Sequence, residues 1–240
     1  MRILNLPDVT LVTIATVCHE LTAMAVHESA KYIKFGDIKV FSDQDVYPGY
    51  TINVNFPNLV DMETFVNYGE MFNYIHTSHL LFIQWDGWVI DPGMWNNEFL
   101  NYDYIGAPWW YQDDKNVGNS GFCLRSVALM KHVAANRNRY PIQRPEDHWL
   151  CRQYQFYLPQ FKWAPENLAT RFAFERSRPS IESRHFGFHG MFNWPFVLPP
   201  DKLSRRMLIA RNDPYIQKTG MIKEIDGLLT AHWHKLKAGI

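Results

Sequence analysis

Two short segments carry side chains suited to holding a divalent cation. Asp86 follows an apolar run and precedes Gly87, so the backbone can turn sharply there and present a carboxylate. Mg²⁺ and Mn²⁺ take such oxygen ligands and complete their shell with phosphates and water. His189 lies between Gly187 and Gly190, and imidazole is a common metal ligand. The alternatives are a turn-forming Asp-Gly pair and a histidine satisfied within the core.

A third segment offers a general base. Glu146 and Asp147 follow Pro145, which opens a predicted helix. Carboxylates in a first turn complement the helix dipole, and this is the commoner reason for finding them there. A base also needs a fixed position, which a helix start at a cavity floor supplies. His148 is an alternative base, although adjacent helical residues point in different directions.

The loop of Gly118, Asn119, Ser120 and Gly121 is a fourth signal. It lacks the GxGxxG spacing and the lysine of a phosphate-binding loop, which argues against a dinucleotide fold and a kinase. Its glycines would leave unhindered backbone beside a bound group, unless the loop is an ordinary turn. Tryptophans able to stack on a sugar or a base, or simply to pack, are Trp85, Trp88, Trp109, Trp110 and Trp149.

The N-terminal elements that would position these residues read as strand, helix, strand. Val9–Thr16 is continuous and rich in β-branched residues, as in a strand covered on both faces. Apolar residues from Leu21 to Ile33 recur at helical spacing, and Gly36 would end that helix. Asp37–Phe41 follows as a second strand. This βαβ unit predicts parallel pairing with a right-handed crossover.

The middle of the chain brings a buried strand directly to the candidate ligands. The apolar run His79–Ile83 leads into Gln84, Trp85 and Asp86, and ligands of open α/β sheets bind beyond the carboxyl ends of strands. Further predicted elements are a helix with Asp61 as N-cap, strands at Asp103–Ala107, Phe122–Arg125 and Phe161–Ala164, a helix over Ser126–Asn136, and helical structure from Pro199 onward. We therefore expect an α/β fold with a mixed, mostly parallel central sheet flanked by helices.

Composition restricts the class of protein. The chain has 240 residues, 47% hydrophobic and 20% charged, which indicates a folded domain rather than a disordered chain. Lys plus Arg equal Asp plus Glu at 24 each, so the excess of cations typical of nucleic-acid binding is missing. Three cysteines without a CxxC pair favour a reducing, cytoplasmic location. The apolar run Leu11–Val17 is too short to span a bilayer.

Several blocks, taken in order, resemble one known family. They are Thr77–Trp110, Val117–Ser126 (VGNSGFCLRS), Pro145–Arg152 (PEDHWLCR) and Phe186–Gly190 (FGFHG). This is a domain-of-unknown-function family assigned to GT-A-type, nucleotide-sugar-dependent glycosyltransferases, and the resemblance extends over roughly Val9 to Asn193. It implies a GT-A, Rossmann-like single domain over residues 1–198, followed by a helical extension over 199–240.

The resemblance also implies roles for individual residues. The DxD motif of GT-A enzymes falls on Gln84, Trp85 and Asp86, with Gln84 in the first acidic position. The glycine-rich, acceptor-side loop matches Gly118–Gly121, close after Trp109 and Trp110. The acidic xED motif matches Pro145–Asp147, which makes Asp147 the catalytic base, with Glu146 beside it. His189 matches the C-terminal metal-binding histidine, and Thr16 and Asp43 lie where such enzymes hold the nucleotide.

The leading hypothesis is an inverting glycosyltransferase that moves a sugar from a nucleotide sugar, a UDP-sugar by preference, to a hydroxyl of a glycan in polysaccharide biosynthesis. A Mn²⁺ or Mg²⁺ ion held by Asp86 and His189 would neutralise the departing diphosphate. Alternatives are a retaining transferase on the same fold, a decayed nucleotide- or glycan-binding module, and, more distantly, a metal-dependent hydrolase using His148, Asp147 and His189. The predicted extension carries several cationic side chains, which are Lys202, Arg205, Arg206 and Arg211. They would allow weak peripheral contact with anionic lipid, or they would simply form a solvated helix face.

Overall fold

The protein, analysed as a computed structural model, has a six-stranded central sheet with helices on both faces. The structure describes residues 3–56, 59–68, 70–111, 113–139, 141, 143–176, 184–228 and 230. The sheet has the strand order β3–β2–β1–β4–β6–β5, and all its pairings are parallel except those of β6 with β4 and β5. The predicted mixed, mostly parallel α/β fold is confirmed.

The predicted βαβ unit is present at the N-terminus. Strand β1 (Leu4–Ala15) leads through helix α1 (His19–Ala30) to strand β2 (Ile33–Ser42), and β1 pairs in parallel with β2. The prediction that Gly36 ends the helix was wrong, because Gly36 lies inside β2. A methyl group on Gly36 would lie 2.1 Å from the carbonyl oxygen of Pro7. The glycine is therefore explained by a close approach of two strands rather than by a helix end.

The remaining strands are short. They are β3 (Thr51–Asn53), β4 (His79–Ile83), β5 (Tyr104–Gly106) and β6 (Phe122–Ser126), with a separate two-stranded sheet of β7 (Ala173–Phe174) and β8 (Gly187–Phe188). Strand β4 has the predicted bounds. The expected strand at Phe161–Ala164 was wrong: this segment runs beside β5 and makes only an isolated bridge, between Trp163 and Tyr104.

The helices that follow α1 are of unequal length. They are α2 (Leu59–Tyr68), α3 (Val127–Ala135), α4 (Glu146–His148), α5 (Glu166–Phe172), α6 (Trp194–Val197), α7 (Pro200–Asn212) and α8 (Pro214–Thr219). The 3₁₀ segments are Met71–Tyr74, Pro92–Met94, Asn97–Asn101, Tyr154–Tyr157 and Met191–Asn193, and Trp149–Gln153 is a π-helical segment. Asp61, expected as the N-cap of α2, lies within its first turn.

Each face of the sheet carries its own hydrophobic core. Along β1, Leu11 belongs to one core and Val12 to the other, because successive side chains of a strand point to opposite faces. The first core includes Leu21 of α1, and the second includes Phe65 of α2. Two covered faces explain why β1 and β4 read as continuous apolar runs.

The C-terminal helices pack against the first core. Leu203 and Met207 of α7 are fully buried in the same cluster as Leu21. The prediction that Arg206 belongs to a solvated cationic face was wrong, because its side chain is buried with the guanidinium 3.9 Å from the ring centre of Trp88. The domain boundary after residue 198 stays a prediction, and residues 229 and 231–240 of the extension lie outside the described residues. Across the described part of the chain, none of the helices has the length and hydrophobicity needed to cross a bilayer.

Candidate functional site

The strand order reverses between β1 and β4, and several candidate residues lie at that point. Thr16 follows β1, Asp43 follows β2 and Gln84 follows β4. These three strands are parallel, so their carboxyl ends form one edge of the sheet. A crevice at such a reversal is the usual ligand site of open α/β sheets. The predicted convergence of these segments at one edge is therefore present.

Asp43 and Thr16 are the residues that the sequence analysis proposed for nucleotide binding. The Nε2 atom of His19 lies 2.7 Å from Oδ1 of Asp43, whose carboxylate is exposed. Thr16 is half-buried, and Cys18, two residues on, has a left-handed backbone with φ 52°. Residues other than glycine seldom adopt that backbone conformation, and those that do often cluster at functional sites. Asp43 is thus oriented by a histidine that the sequence analysis did not include.

Residues Gly118–Gly121 enter the sheet at the same edge. The backbone N–H of Gln84 donates to the carbonyl oxygen of Gly121 over 2.9 Å, which ties this loop to the end of β4. Asn119 has φ 66°, a left-handed conformation that asparagine tolerates. Its Oδ1 accepts from the backbone N–H groups of Gly121 and Phe122. Asn119 therefore folds the loop through both its backbone and its side chain.

The two-stranded sheet delivers His189 to this edge. Strands β7 and β8 pair in parallel, and Glu175 and His189 are the residues that follow them. The backbone N–H of His189 donates to the carbonyl oxygen of Phe174 over 3.0 Å. Asn193 donates through Nδ2 to the carbonyl oxygens of both Glu175 and His189. These bonds hold Glu175 and His189 side by side.

Two polar side chains converge on the Nε2 atom of His189. Nε2 lies 3.2 Å from Oδ1 of Asp86 and 3.2 Å from Oε1 of Gln84. The Oδ1 atom of Asp86 is buried and, apart from this ion pair with Nε2, has no hydrogen-bond partner among the described residues. Asp86 and His189, which the sequence analysis proposed as metal ligands, thus meet in the fold, together with Gln84 of the DxD-like motif.

The opposite nitrogen of His189 faces a second carboxylate. Nδ1 lies 3.2 Å from Oε1 of Glu175, whose side chain is largely buried. Burial disfavours the imidazolium, but the charges of Asp86 and Glu175 outweigh that effect and raise the pKa of His189 to about 10. Burial alone would raise the pKa of Glu175, yet the hydrogen bond and charge of His189 lower it. Without a cation, His189 is therefore an imidazolium between two carboxylates.

Glycines make room for the imidazole ring. A methyl group on Gly121 would lie 2.0 Å from Nε2 of His189, and one on Gly87 would lie 2.5 Å from the carbonyl oxygen of Phe188. Gly118 has the same relation to the ring of Trp109. The sequence analysis expected Gly118 and Gly121 to leave space beside a bound group, and Gly87 to allow a sharp turn. In the structure, the space they leave is taken by rings and backbone of the protein itself.

The structure gives Glu146 a partner in the core. Its Oε1 accepts from Nη2 of Arg125 over 3.0 Å; Arg125 is buried and Glu146 is largely buried. Burial raises the pKa of Glu146, against the opposing effect of Arg125. Arg125 also donates to Oδ1 of Asn67 and to Sγ of Cys123. This network attaches the start of α4 to β6, so Glu146 positions the segment that carries Asp147.

Asp147 takes no part in the contacts that join Asp86, Gln84 and His189. Its Oδ1 accepts from the backbone N–H of His148 over 2.8 Å, and the residue is partly exposed. The ring of His148 contacts the hydroxyl of Tyr111 at 2.8 Å and lies 5.1 Å from the ring of Trp109, which itself covers Gly118. No hydrogen bond or ion pair between described residues joins Asp147 to Asp86 or His189.

Of the tryptophans considered as stacking surfaces, Trp110 is the most exposed, at 58%. Trp88 and Trp109 are buried, and Trp149 is buried and stacked on Tyr154. Trp85 is half-buried against Trp194. Trp110 is therefore the best placed of them to meet a ligand, while the others chiefly pack.

The residues on the Nε2 side of His189 fit a divalent cation in part. Two ligand atoms about 2.1 Å from an octahedral ion are about 3 Å apart, close to the 3.2 Å separations of Nε2 from Asp86 and Gln84. The orphaned oxygen of Asp86 provides a charged ligand. Within the described residues, no group of three or more His, Cys, Asp or Glu side chains has the arrangement of a metal site. An ion there would need further ligands from a substrate or water, and the proposed hydrolase set of His148, Asp147 and His189 does not assemble.

Sequence analysis missed Glu175, His19 and Arg125. Glu175 stands 14 residues before His189 and belongs to no motif, so the contact arises only when β7 and β8 pair. Arg125 lies within a quoted sequence block, but nothing local indicates that its charge turns inward. The sequence therefore holds no signal for the contact of Glu175 with His189 or for the contact of Arg125 with Glu146.

Solved structures resemble this chain in fold. A crystal structure of a glycosyltransferase involved in the glycosylation of the major capsid of PBCV-1 matches with a TM-score of 0.51 and 13% identity, over 76% of this chain and 92% of that chain. An active-site mutant of LgtC matches with a TM-score of 0.38 and 14% identity, over 75% of this chain and 86% of that chain. The first of these matches shows the GT-A glycosyltransferase fold, and an identity this low shows the fold alone.

A comparison with curated proteins gave no match. A family model does match residues 52–189, more than half of the chain, and that stretch contains Asp86, Asp147 and His189. The chain belongs to the protein family of unknown function DUF5672.

Proposed function

We propose that this protein is a metal-dependent, inverting glycosyltransferase that transfers a sugar from a nucleotide sugar, preferentially a UDP-sugar, to a glycan hydroxyl. The observation that carries the proposal is the convergence of Asp86, Gln84 and His189 where the strand order reverses. The buried Oδ1 of Asp86 is paired with the imidazolium of His189, 3.2 Å away, and has no hydrogen-bond partner among the described residues. A cation bound to a diphosphate would replace the Nε2 proton and be held by both side chains.

In this proposal Asp86 and His189 hold a Mn²⁺ or Mg²⁺ ion, and Gln84 adds an amide oxygen. When bound, such an ion neutralises the charge that develops on a departing diphosphate. Thr16 and Asp43 lie at the ends of the neighbouring strands, where they would contact the nucleoside. A donor lying across this edge would bring its own phosphate oxygens to complete the ligand set.

Asp147 is the proposed general base. Its carboxylate would take the proton from the acceptor hydroxyl while that oxygen attacks the anomeric carbon opposite the diphosphate, which inverts the configuration. The acceptor would lie between Asp147 and the Asp86–His189 pair, beside Gly118–Gly121 and Trp110. This position agrees with the partial exposure of Asp147. Glu146 would hold the base in place through Arg125 rather than transfer a proton itself.

The substitution Asp147→Asn tests the base. It should lower sugar transfer by about 10²–10⁴-fold while nucleotide-sugar binding, followed by thermal shift with Mn²⁺, stays close to that of the parent. Asp201→Asn, in the first turn of α7, removes the same charge from another helix start and is the matched control. Transfer at the parental rate by Asp147→Asn would refute the assignment, and loss of donor binding would move Asp147 to the donor site.

The anomeric configuration of the product, read by NMR, decides between inversion and the retaining alternative. Gln84, in place of the first acidic residue of the DxD motif, favours a second candidate, a nucleotide- or glycan-binding module without activity. Incubation of a panel of nucleotide sugars with Mn²⁺ separates the two. A binding module would release no free nucleotide. The proposed enzyme would release it slowly even without an acceptor, because water would then accept the sugar.

A further inference from the structure

We infer that Glu175 is a positioning residue: its carboxylate accepts the Nδ1–H of His189 and so leaves Nε2 as the nitrogen that binds the cation. This inference rests on the proposed function, because it concerns the same ion. Nδ1 lies 3.2 Å from Glu175, while Nε2 faces Asp86 and Gln84, each at 3.2 Å. One ring is thus directed by a carboxylate on one side toward a pair of oxygen atoms on the other.

The chemistry of imidazole makes the partner of Nδ1 decisive. A neutral imidazole carries one N–H, and the hydrogen bond made by one nitrogen decides which nitrogen is left free for a metal. Histidine ligands of metals commonly donate their other N–H to a carboxylate, which fixes the ring and makes it a stronger ligand. Glu175 has the position of that carboxylate, although no motif identifies it.

The surroundings leave Glu175 little freedom. Its side chain is 14% exposed, and Asn193, itself buried, ties its carbonyl oxygen to that of His189. The Nδ2 atom of Asn119 lies 3.3 Å from Nδ1, and the Asn119 amide also hydrogen-bonds Glu175. In the inferred tautomer Nδ1 carries the proton, so the Asn119 amide donates to the Glu175 carboxylate and not to Nδ1. The carboxylate is therefore held in place from two directions and meets the imidazole with a fixed geometry.

The effect on the cation can be stated as a fold-change. Substituting the outer partner of a metal-ligating histidine typically weakens metal binding by about 10–100-fold. Glu175→Gln keeps the size of the side chain but removes its charge. We expect Mn²⁺ affinity to fall by about that factor, whereas Glu166→Gln, at the exposed start of α5, should leave it unchanged.

The test uses the full chain with Mn²⁺ alone, and electron paramagnetic resonance measures the free ion. Weaker binding by Glu175→Gln, with the fold intact by circular dichroism, supports the inference. Equal binding by the parent and Glu175→Gln overturns it and leaves the proposed function standing. Failure of the parent to bind Mn²⁺ overturns the metal assignment and this inference together.

A second measurement is independent of whether Glu175→Gln folds. Cd²⁺ is diamagnetic, so long-range ¹⁵N–¹H spectra of the Cd²⁺-loaded parent identify the nitrogen of His189 that is bound and the one that carries a proton. Cadmium on Nε2 with a proton on Nδ1 supports the inference. Cadmium on Nδ1 overturns it, because Glu175 could then not accept from that nitrogen. A purely structural ion pair between Glu175 and an imidazolium would leave both ring nitrogens of His189 protonated and free of cadmium.

Discussion

Replacing Gly121 with alanine is the most direct way to move His189 without altering any candidate ligand. The new methyl carbon would lie 2.0 Å from Nε2 and 2.3 Å from Cδ2 and Cε1 of the imidazole. Ordinary contacts between such atoms are about 3.5 Å, so the ring or the loop must shift by about 1.5 Å. The loop cannot retreat easily, because the carbonyl oxygen of Gly121 accepts from the N–H of Gln84 and its own N–H donates to Asn119.

The size of the effect follows from that displacement. Binding constellations tolerate about 0.5 Å of error, so a shift of about 1.5 Å takes Nε2 out of reach of an ion held by Asp86. We therefore expect Gly121→Ala to weaken Mn²⁺ binding by at least about 10-fold. Overpacking of this kind also lowers the free energy of unfolding by about 1–3 kcal/mol, because neighbouring groups are forced from their preferred positions.

Mn²⁺ titration and chemical unfolding of Gly121→Ala check the two expectations. The matched control is Gly227→Ala, since a methyl group there would meet nothing within 4 Å and Gly227 has no positive φ. That control should bind Mn²⁺ as the parent does and gain slightly in stability, because alanine favours helix over glycine. Parental Mn²⁺ affinity and stability in Gly121→Ala would show that the contact between Gly121 and His189 does not exist as described.

Three further outcomes follow from the packing and charge of the fold. Met207→Ala should lower the free energy of unfolding by about 2–5 kcal/mol in urea titrations, because Met207 is fully buried in α7; a surface-like loss below about 0.5 kcal/mol would contradict that packing. Arg125→Leu should cost about 3–5 kcal/mol because it leaves Glu146 buried without its cation, whereas Arg144→Leu, from an exposed pair, should cost less than about 1 kcal/mol. Burial lowers the pKa of His79 below its usual 6.5, so the folded state binds fewer protons than the unfolded state. The free energy of unfolding should therefore fall as the pH drops below about 6.5. Unfolding experiments at stepped pH should show a flatter pH dependence for His79→Gln than for the parent.

The parts of the fold that sequence predicts well are those with a local cause. Strand β4 has the predicted bounds because five consecutive buried residues between polar segments are visible in a short window. Ser126 was likewise placed at the start of α3, and its hydroxyl accepts from the N–H of Leu129 as a helix cap. In both cases the physical cause lies within a few residues of its effect.

The errors arose where a distant segment decides the structure. Gly36 resembles a helix stop, but Pro7 of the neighbouring strand is what excludes a side chain there. Residues Phe161–Ala164 have the composition of a strand, yet they contact β5 through a few backbone bonds, such as that from the N–H of Ala164 to the carbonyl oxygen of Tyr104. A single sequence holds no information about which segment will lie opposite, so these errors could not be avoided.

The candidate site likewise combines features that have a local cause in the sequence with features that only distant segments determine. Asp86 and His189 could be proposed because their side chains stand beside glycines and because the blocks around them resemble a family. The surroundings of His189, however, include Asn119, whose left-handed backbone turns the loop in which Gly121 lies against the imidazole ring. The same asparagine directs its amide toward Glu175 and Nδ1. One loop residue thus links the group that directs the imidazole to the glycine that makes room for it. A sequence shows an asparagine between glycine and serine, and only the fold shows that its conformation holds both sides of the histidine.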